Sequence, residues 1–352
     1  MNIPVMRPRL PSFELLQERL SSVEKSGIYS NHGPQVLELE ERFAKFFGVE
    51  SEQVVLVSSA TMGIAAAVAL SAPSTAWHVP AWTFTATISG ILAGGGSPKF
   101  CDVDLDSGWI LTDYLEETKL SVVAVAPFGA PIPPEVLQRP APTVIDAAAS
   151  IGNCEGELGL LSAEVSVVFS LHATKVLGIG EGGIVVCGSA DNAKEIRSWT
   201  NFGFDGSRNS RRVGLNANMS EFTAVVGHAA LDQWPVERRE WLDARERARE
   251  ISSVVGLSIQ DFEGDFISPY WMVLFPSEES RQRVEDALSA EGIGTRRWWE
   301  RGCHLMPAYQ QIPATSLART SKIAGATLGL PFYRGLSERD AGEIRKVLGS
   351  CS

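Results

Sequence analysis

The chain has 352 residues, and its 31 lysines and arginines against 42 aspartates and glutamates leave a net charge of −11. That excludes a dedicated nucleic-acid binder, which neutralises phosphates with clustered basic side chains, while 44% apolar and 21% charged residues exclude a disordered or fibrous chain. No segment approaches the roughly 18 uninterrupted apolar residues of a membrane span, and Cys101, Cys154, Cys187, Cys303 and Cys351 are scattered without a CxxC pair, pointing to no metal site and no disulfide framework, as in a cytoplasmic protein.

In chain order, residues 12–20 mix charged and apolar side chains and lack the apolar core of a signal peptide. Residues 36–47 carry Val36, Leu39, Phe43, Phe46 and Phe47 at helical spacing, and the apolar run at 54–57 has strand length. The pattern then predicts an alanine-rich helix at 61–70, a strand at 77–79 and a helix at 83–92. Strands follow at 99–103, 122–126, 143–145, 165–170 and 184–187, then a helix at 190–199. Strands this apolar need cover on both faces, which predicts an α/β fold with a mostly parallel sheet between helices. Pro235 suits the first turn of a helix at 236–254, where Asp243/Arg247 and Glu246/Arg249 are spaced for same-face ion pairs. A strand at 270–275, a helix at 279–290, a strand at 328–330 and a helix at 337–348, with Ser337 and Asp340 at its start, predict a smaller α+β unit. The expected division is a large domain at 1–235, including the N-terminal segment, and a small one at 236–352.

The stretch at 169–183, FSLHATKVLGIGEGG, carries the most chemistry. Lys175 follows an apolar strand through Ser170, His172 and Thr174 and enters a glycine-rich turn. A lysine in such a half-desolvated pocket has its neutral amine favoured, the form that condenses with an aldehyde. Gly178, Gly180 and Gly183 match G-x-G-x-x-G, but the strand expected right after them rejects a dinucleotide fingerprint, which must open a helix. Asp146 ends an apolar strand among small residues. A buried acid needs a cation or strong donor, and a protonated pyridine nitrogen is one such partner, with a helix cap as the alternative. Ser58, Ser59, Ala60, Thr61, Met62 and Gly63 lead a strand into a helix, a phosphate cradle or a plain N-cap. Trp82 and Phe84 either stack on a flat ring or pack in the core.

With Lys175, Asp146, Thr61 and Phe84 in this order, the chain resembles the DegT/DnrJ/EryC1/StrS family of sugar aminotransferases, pyridoxal-phosphate enzymes of the aspartate-aminotransferase fold, fold type I. The likeness runs through Ser26-Gly27, Gly33-Pro34, Leu39-Glu40, residues 98–104, Phe128-Gly129, residues 181–183, residues 214–220 and residues 304–309. It implies that Lys175 is the Schiff-base lysine, that Asp146 pairs with the pyridine nitrogen and that Phe84 stacks on the ring. It further implies phosphate contacts from Ala60, Thr61, Met62 through its backbone, and Ser170, with Asn216 reaching the phosphate from the neighbouring subunit of a homodimer. Two positions depart from the family: Ala149 stands where Gln or His is usual near the ring oxygen, and Asn218 where Arg is common.

The implied reaction takes an amino group from an amino acid such as glutamate, stores it as pyridoxamine phosphate and delivers it to a keto group of a nucleotide-linked sugar, with a dTDP-4-keto-6-deoxyhexose expected. Cationic partners for such a substrate come from Arg208, Arg211 and Arg212 or from Arg296, Arg297, Trp298 and Trp299 with His304, where guanidinium meets phosphate and indole meets a ring. Another fold type I enzyme acting on free amino acids, or a non-catalytic relative, is the alternative.

Overall fold

Apolar runs of four to six residues pair into a central seven-stranded sheet in the computed structural model, which describes residues 2–71, 76–109 and 111–351. The large portion contains α1 (Gln17–Ser26), α2 (Pro34–Phe47), β1 (Val54–Val57), α3 (Ala60–Ser71), β2 (Ala76–Pro80), α4 (Thr85–Ala93), β3 (Ser97–Cys101), α5 (Thr112–Glu116), β4 (Ser121–Val125), α6 (Pro134–Leu137), β5 (Thr143–Asp146), β6 (Val165–Ser170), β7 (Gly183–Cys187) and α7 (Ala190–Trp199). After it come α8 (Glu221–Val254), β8 (Ser258–Ile259), β9 (Trp271–Leu274), α9 (Glu278–Ala290), α10 (Ala318–Ala326), β10 (Thr327–Leu330) and α11 (Glu338–Ser350).

The sheet order is β1-β7-β6-β5-β4-β2-β3, with β7 antiparallel to both neighbours and the other pairs parallel. Side chains alternate across it, so Val54, Leu56, Val122, Ala124, Val165 and Val167 enter the core shared with α2 and α8. Val55, Val57, Val123 and Val168 enter the opposite core, under α3, α4 and α7. Phe47 of α2 stacks on Phe169 of β6 with ring centroids 4.9 Å apart. Buried Glu221 ties α2 to α8, accepting from the Gln35 N–H at 2.8 Å and the Val36 N–H at 3.0 Å, two donors that a helix start otherwise leaves unpaired.

Three expectations change. The helix expected at 236–254 is the second half of α8, whose 34 residues continue through Pro235. The proline removes one helical N–H, but buried Trp234 and Trp241 on either side hold the helix by packing. The division at 235/236 thus falls within one helix. The N-terminal segment joins the C-terminal portion instead of the sheet: the Ile3 N–H bonds Gly292 O at 3.0 Å, the Gly294 N–H bonds Ile3 O at 2.7 Å and the Phe332 N–H bonds Val5 O at 3.0 Å. Arg247 turns from Asp243 to Glu338 at 2.8 Å, while Glu246 meets Arg249 at 3.5 Å.

The C-terminal portion packs α9, α10 and α11 with an antiparallel sheet of order β10-β9-β8. Ser337 caps α11 by accepting from the Asp340 N–H at 3.0 Å. Among the described residues no helix is long and apolar enough to cross a membrane.

Candidate active site

Parallel strands deliver their carboxyl ends to one edge of a sheet, and the chemistry-bearing residues collect there. Asp146 is the last residue of β5 and Ser170 the last of β6; Ala60 opens α3 after β1, and Phe84 precedes α4 after β2. Gly183 pairs with Ser170 on one side and Val57 on the other. A Cβ at Gly183 would lie 2.6 Å from Ala60 N, so only glycine lets β7 pass beneath the start of α3. Ser170, paired with Gly183, has its hydroxyl accepting from the His172 N–H at 3.2 Å, while the first N–H groups of α3 and its positive dipole end favour an anion. The Met62 N–H, expected at a phosphate, donates to Ser59 Oγ at 3.3 Å.

Asp146 is buried, 7% exposed. Its Oδ2 accepts from the Thr87 hydroxyl at 2.6 Å, and Thr87 in turn pairs with the Thr83 hydroxyl at 2.7 Å. Its Oδ1 accepts from the Ala148 N–H at 3.2 Å. Burial pushes this carboxyl above the usual range, against the Thr87 and Ala148 bonds and the nearby positive charge of Lys175. Phe84, beside Thr83 in sequence, is 53% exposed, an aromatic face offered to this edge. Ala149 is buried and brings no side-chain donor.

Lys175 sits in a folded-back loop closed by bonds from Leu171 N to Gly182 O at 3.0 Å and from Ala173 N to Gly180 O at 2.8 Å. The loop runs straight into β7, which confirms that its glycines open no helix. The Lys175 N–H is fixed to His172 O at 2.8 Å, and the His172 ring pairs with the Thr174 hydroxyl at 2.8 Å. At the end of the side chain, Lys175 Nζ donates to Tyr270 Oη at 2.7 Å. Tyr270 meets Trp298 edge-on at 4.9 Å, and Phe128 stacks on Trp299 at 4.0 Å, so an aromatic wall flanks the amine. Tyr270, Thr83 and Thr87 were not singled out by the sequence. Tyr270 lies at the edge of an apolar strand run, where it reads as core.

The cationic candidates separate. Arg297 is engaged with Glu285 and Glu300, both at 3.8 Å. Arg211 pairs with Asp205 at 3.2 Å and Arg212 with Glu195. Arg296 is exposed, lies over the Trp298 ring at 4.9 Å and has no carboxylate partner among the described residues. His304 packs against Phe100 of the outer strand β3, away from the Lys175 loop, and burial lowers its pKa. Asn216 is exposed in a loop bridged to Asn201, and Asn218 donates to Asn31 Oδ1 and Asn201 Oδ1, both at 3.3 Å.

The family model described as the DegT/DnrJ/EryC1/StrS aminotransferase family matches residues 13–348. The chain belongs to this family. It is thereby a sugar aminotransferase dependent on pyridoxal 5′-phosphate. Among characterised relatives it is similar to dTDP-4-amino-4,6-dideoxy-D-glucose transaminase of Shigella dysenteriae, with 27% identity over 95% of this chain and 94% of that protein. It is similar in structure to DesI crystallised with its TDP-sugar product, at 29% identity and a TM-score of 0.87 over 100% of this chain and 93% of that chain. A solved chain from Bacillus cereus ATCC 10987 superimposes with a TM-score of 0.91 at 28% identity, over 99% of this chain and 100% of that chain.

Proposed function

We propose that this aminotransferase moves the amino group of L-glutamate to the keto carbon of a dTDP-linked 4-keto-6-deoxyhexose. The observation that carries the reading is that buried Asp146 ends β5 and Lys175 follows the end of its parallel neighbour β6, so both stand at one sheet edge. The donor set fits the cofactor: a buried acid with a raised pKa seeks a cationic partner, the α3 start accepts an anion, and an exposed phenyl face lies between them in sequence. When bound, pyridoxal phosphate supplies an aldehyde carbon that joins amines and a protonated ring that draws electrons from the joined carbon.

In this reading Asp146 keeps the ring nitrogen protonated, its carboxylate oriented by Thr87. The α3 N–H groups of Ala60 and Thr61 with the Ser170 hydroxyl hold the phosphate, and Phe84 covers the ring face. Lys175 carries the cofactor at rest. As a free amine its Nζ would take up the proton from the amino acid Cα and give it back within the site, and would do the reverse for the sugar, a role contributing roughly 10²- to 10⁴-fold. Arg296 with Trp298 receives the nucleotide sugar, supported by the missing carboxylate partner of that arginine among the described residues. Arg211, Arg212, Arg297 and His304 were also expected there, but each arginine of the three already faces an acid. The dTDP-hexose is supported by the names of the Shigella relative and of DesI with its TDP-sugar.

The enzyme works as a homodimer in which Asn216 reaches the partner's phosphate. Exposed Ile28, Tyr29, Phe202, Val213, Leu215 and Phe222 support this, an apolar surface around the Asn216 loop. A cytoplasmic setting accords with the five free thiols.

The test is a pair of half-reactions. Wild-type enzyme incubated with glutamate loses the yellow absorbance, and dTDP-4-keto-6-deoxyhexose restores it with formation of an aminosugar. Lys175→Ala shows no such absorbance and no turnover. Wild-type activity in that variant removes the reading.

A further inference from the structure

We propose that Tyr270 is a positioning residue that holds the Lys175 amine, and is itself fixed through Ser268 to the backbone of Phe128. The inference rests on Lys175 as the lysine that carries the cofactor.

A lysine side chain has four rotatable bonds and loses rotamer freedom when its tip is pinned, so the pin must be rigid. Tyr270 meets that need at both ends. Its phenol oxygen accepts from Lys175 Nζ at 2.7 Å, and its ring lies edge-on between Phe128 at 5.6 Å and Trp298 at 4.9 Å. Its backbone N–H donates to Ser268 Oγ at 3.0 Å, and the Ser268 hydroxyl donates to Phe128 O at 2.6 Å.

Phe128 sits in the left-handed region, with φ 51° and ψ 31°. For a bulky side chain this conformation is strained and persists where the surroundings over-determine it. Here stacking on Trp299 at 4.0 Å and the bond from Ser268 do so. The strained carbonyl is thus the fixed point, and Ser268, Tyr270 and Lys175 hang from it in series.

The series joins two parts of the chain, for Tyr270 immediately precedes β9 of the C-terminal portion and Lys175 stands between β6 and β7 of the large sheet. A free amine has hydrogens to give to the phenol, whereas the same nitrogen in a C=N link has at most one. Tyr270 is therefore the resting point of the lysine after displacement, keeping the amine near the carbon it must deprotonate.

The experiment compares wild type, Tyr270→Phe and Ser268→Ala. Borohydride reduction of each cofactor-loaded enzyme, followed by peptide mapping, identifies the lysine that carries the cofactor. Cofactor-free enzyme is then labelled with a limiting amine-acylating reagent, and the rate at position 175 is compared with the other lysines. With the cofactor trapped on Lys175 in all three, Tyr270→Phe acylates several-fold faster at Lys175 alone and loses about tenfold or more in kcat, with the KM for glutamate unchanged. Ser268→Ala shifts both in the same direction by less. Wild-type acylation and kcat in Tyr270→Phe, or a change confined to KM, overturns the role of Tyr270. Trapping on a different lysine overturns instead the reading of Lys175.

Discussion

The Thr87 hydroxyl donates a hydrogen bond to Asp146 Oδ2 at 2.6 Å, joining α4 to the end of β5 over 59 residues of sequence. The bond orients a carboxylate whose surroundings otherwise disfavour its charge. It leaves Oδ1, held only by the Ala148 N–H at 3.2 Å, as the oxygen with lone-pair capacity for a further donor.

Burial raises the Asp146 carboxyl in the cofactor-free protein, and the sign of the pH effect follows. Between the unfolded value near 4 and the raised folded value, the folded chain holds a proton that the unfolded chain has released, so stability falls as pH rises through that window. Asp146→Asn removes the titration and keeps an acceptor for Thr87. Against a constant loss from the Ala148 N–H that then faces an amide donor, the cofactor-free variant rises in melting temperature relative to cofactor-free wild type as pH goes from 4 to 7. Its turnover with cofactor drops roughly 100-fold or more, as when one preorganised electrostatic partner is removed. A melting gap independent of pH would contradict the buried-acid account.

The strands and main helices were legible because apolar runs and helical periodicity are local. The position of Lys175, between an apolar strand and a glycine turn, was legible for the same reason. What escaped is contact between distant segments. Nothing near Thr87 or Tyr270 in sequence marks them as partners of Asp146 and Lys175, since each pair forms only when strand ends assemble. Helix α1 also escaped, because Val23 is its one buried residue and it shows little apolar stripe. Pro235 misled, since a proline at a first turn and a proline held within a long packed helix look alike locally. The arginines at 296 and 297 were indistinguishable as neighbours in sequence; the acids that occupy one and spare the other come from α9 and the following turn.

That difference predicts separate phenotypes. Arg296→Ala raises the KM for the nucleotide sugar about tenfold, the effect of one charge-assisted hydrogen bond, and leaves kcat within about twofold. Arg297→Ala breaks partly exposed ion pairs worth at most about 1 kcal/mol, so KM stays put and the melting temperature falls slightly. Steady-state kinetics with the sugar varied at saturating glutamate checks both. Equal KM effects in the two variants would place the phosphate elsewhere.

Glu221 serves the fold and not the chemistry. It is 1% exposed and accepts from two N–H groups at the start of α2. Glu221→Gln replaces one accepting oxygen with a donor facing an N–H, which costs about 1–3 kcal/mol for the buried group left unsatisfied. Denaturant melts show that loss while kcat per folded enzyme stays at the wild-type value. A variant with unchanged stability but impaired kcat would reverse the assignment.

The proposed reach of Asn216 into a partner's site predicts a quantitative outcome for mixed dimers. Asn216→Ala leaves the Lys175 loop intact but withdraws the side chain offered to the partner, so the variant alone loses most of its activity, as does Lys175→Ala. Unfolding and refolding the two variants together at equal amounts yields about half mixed dimers, each with one site that has both Lys175 and Asn216, so activity recovers to about a quarter of wild type. If Asn216 served the site of its own chain, each subunit of a mixed dimer would carry one defect and the mixture would recover nothing. Activity after co-refolding, corrected for each variant refolded alone, therefore separates a site built across the apolar surface at Phe202, Leu215 and Phe222 from one complete within a single chain.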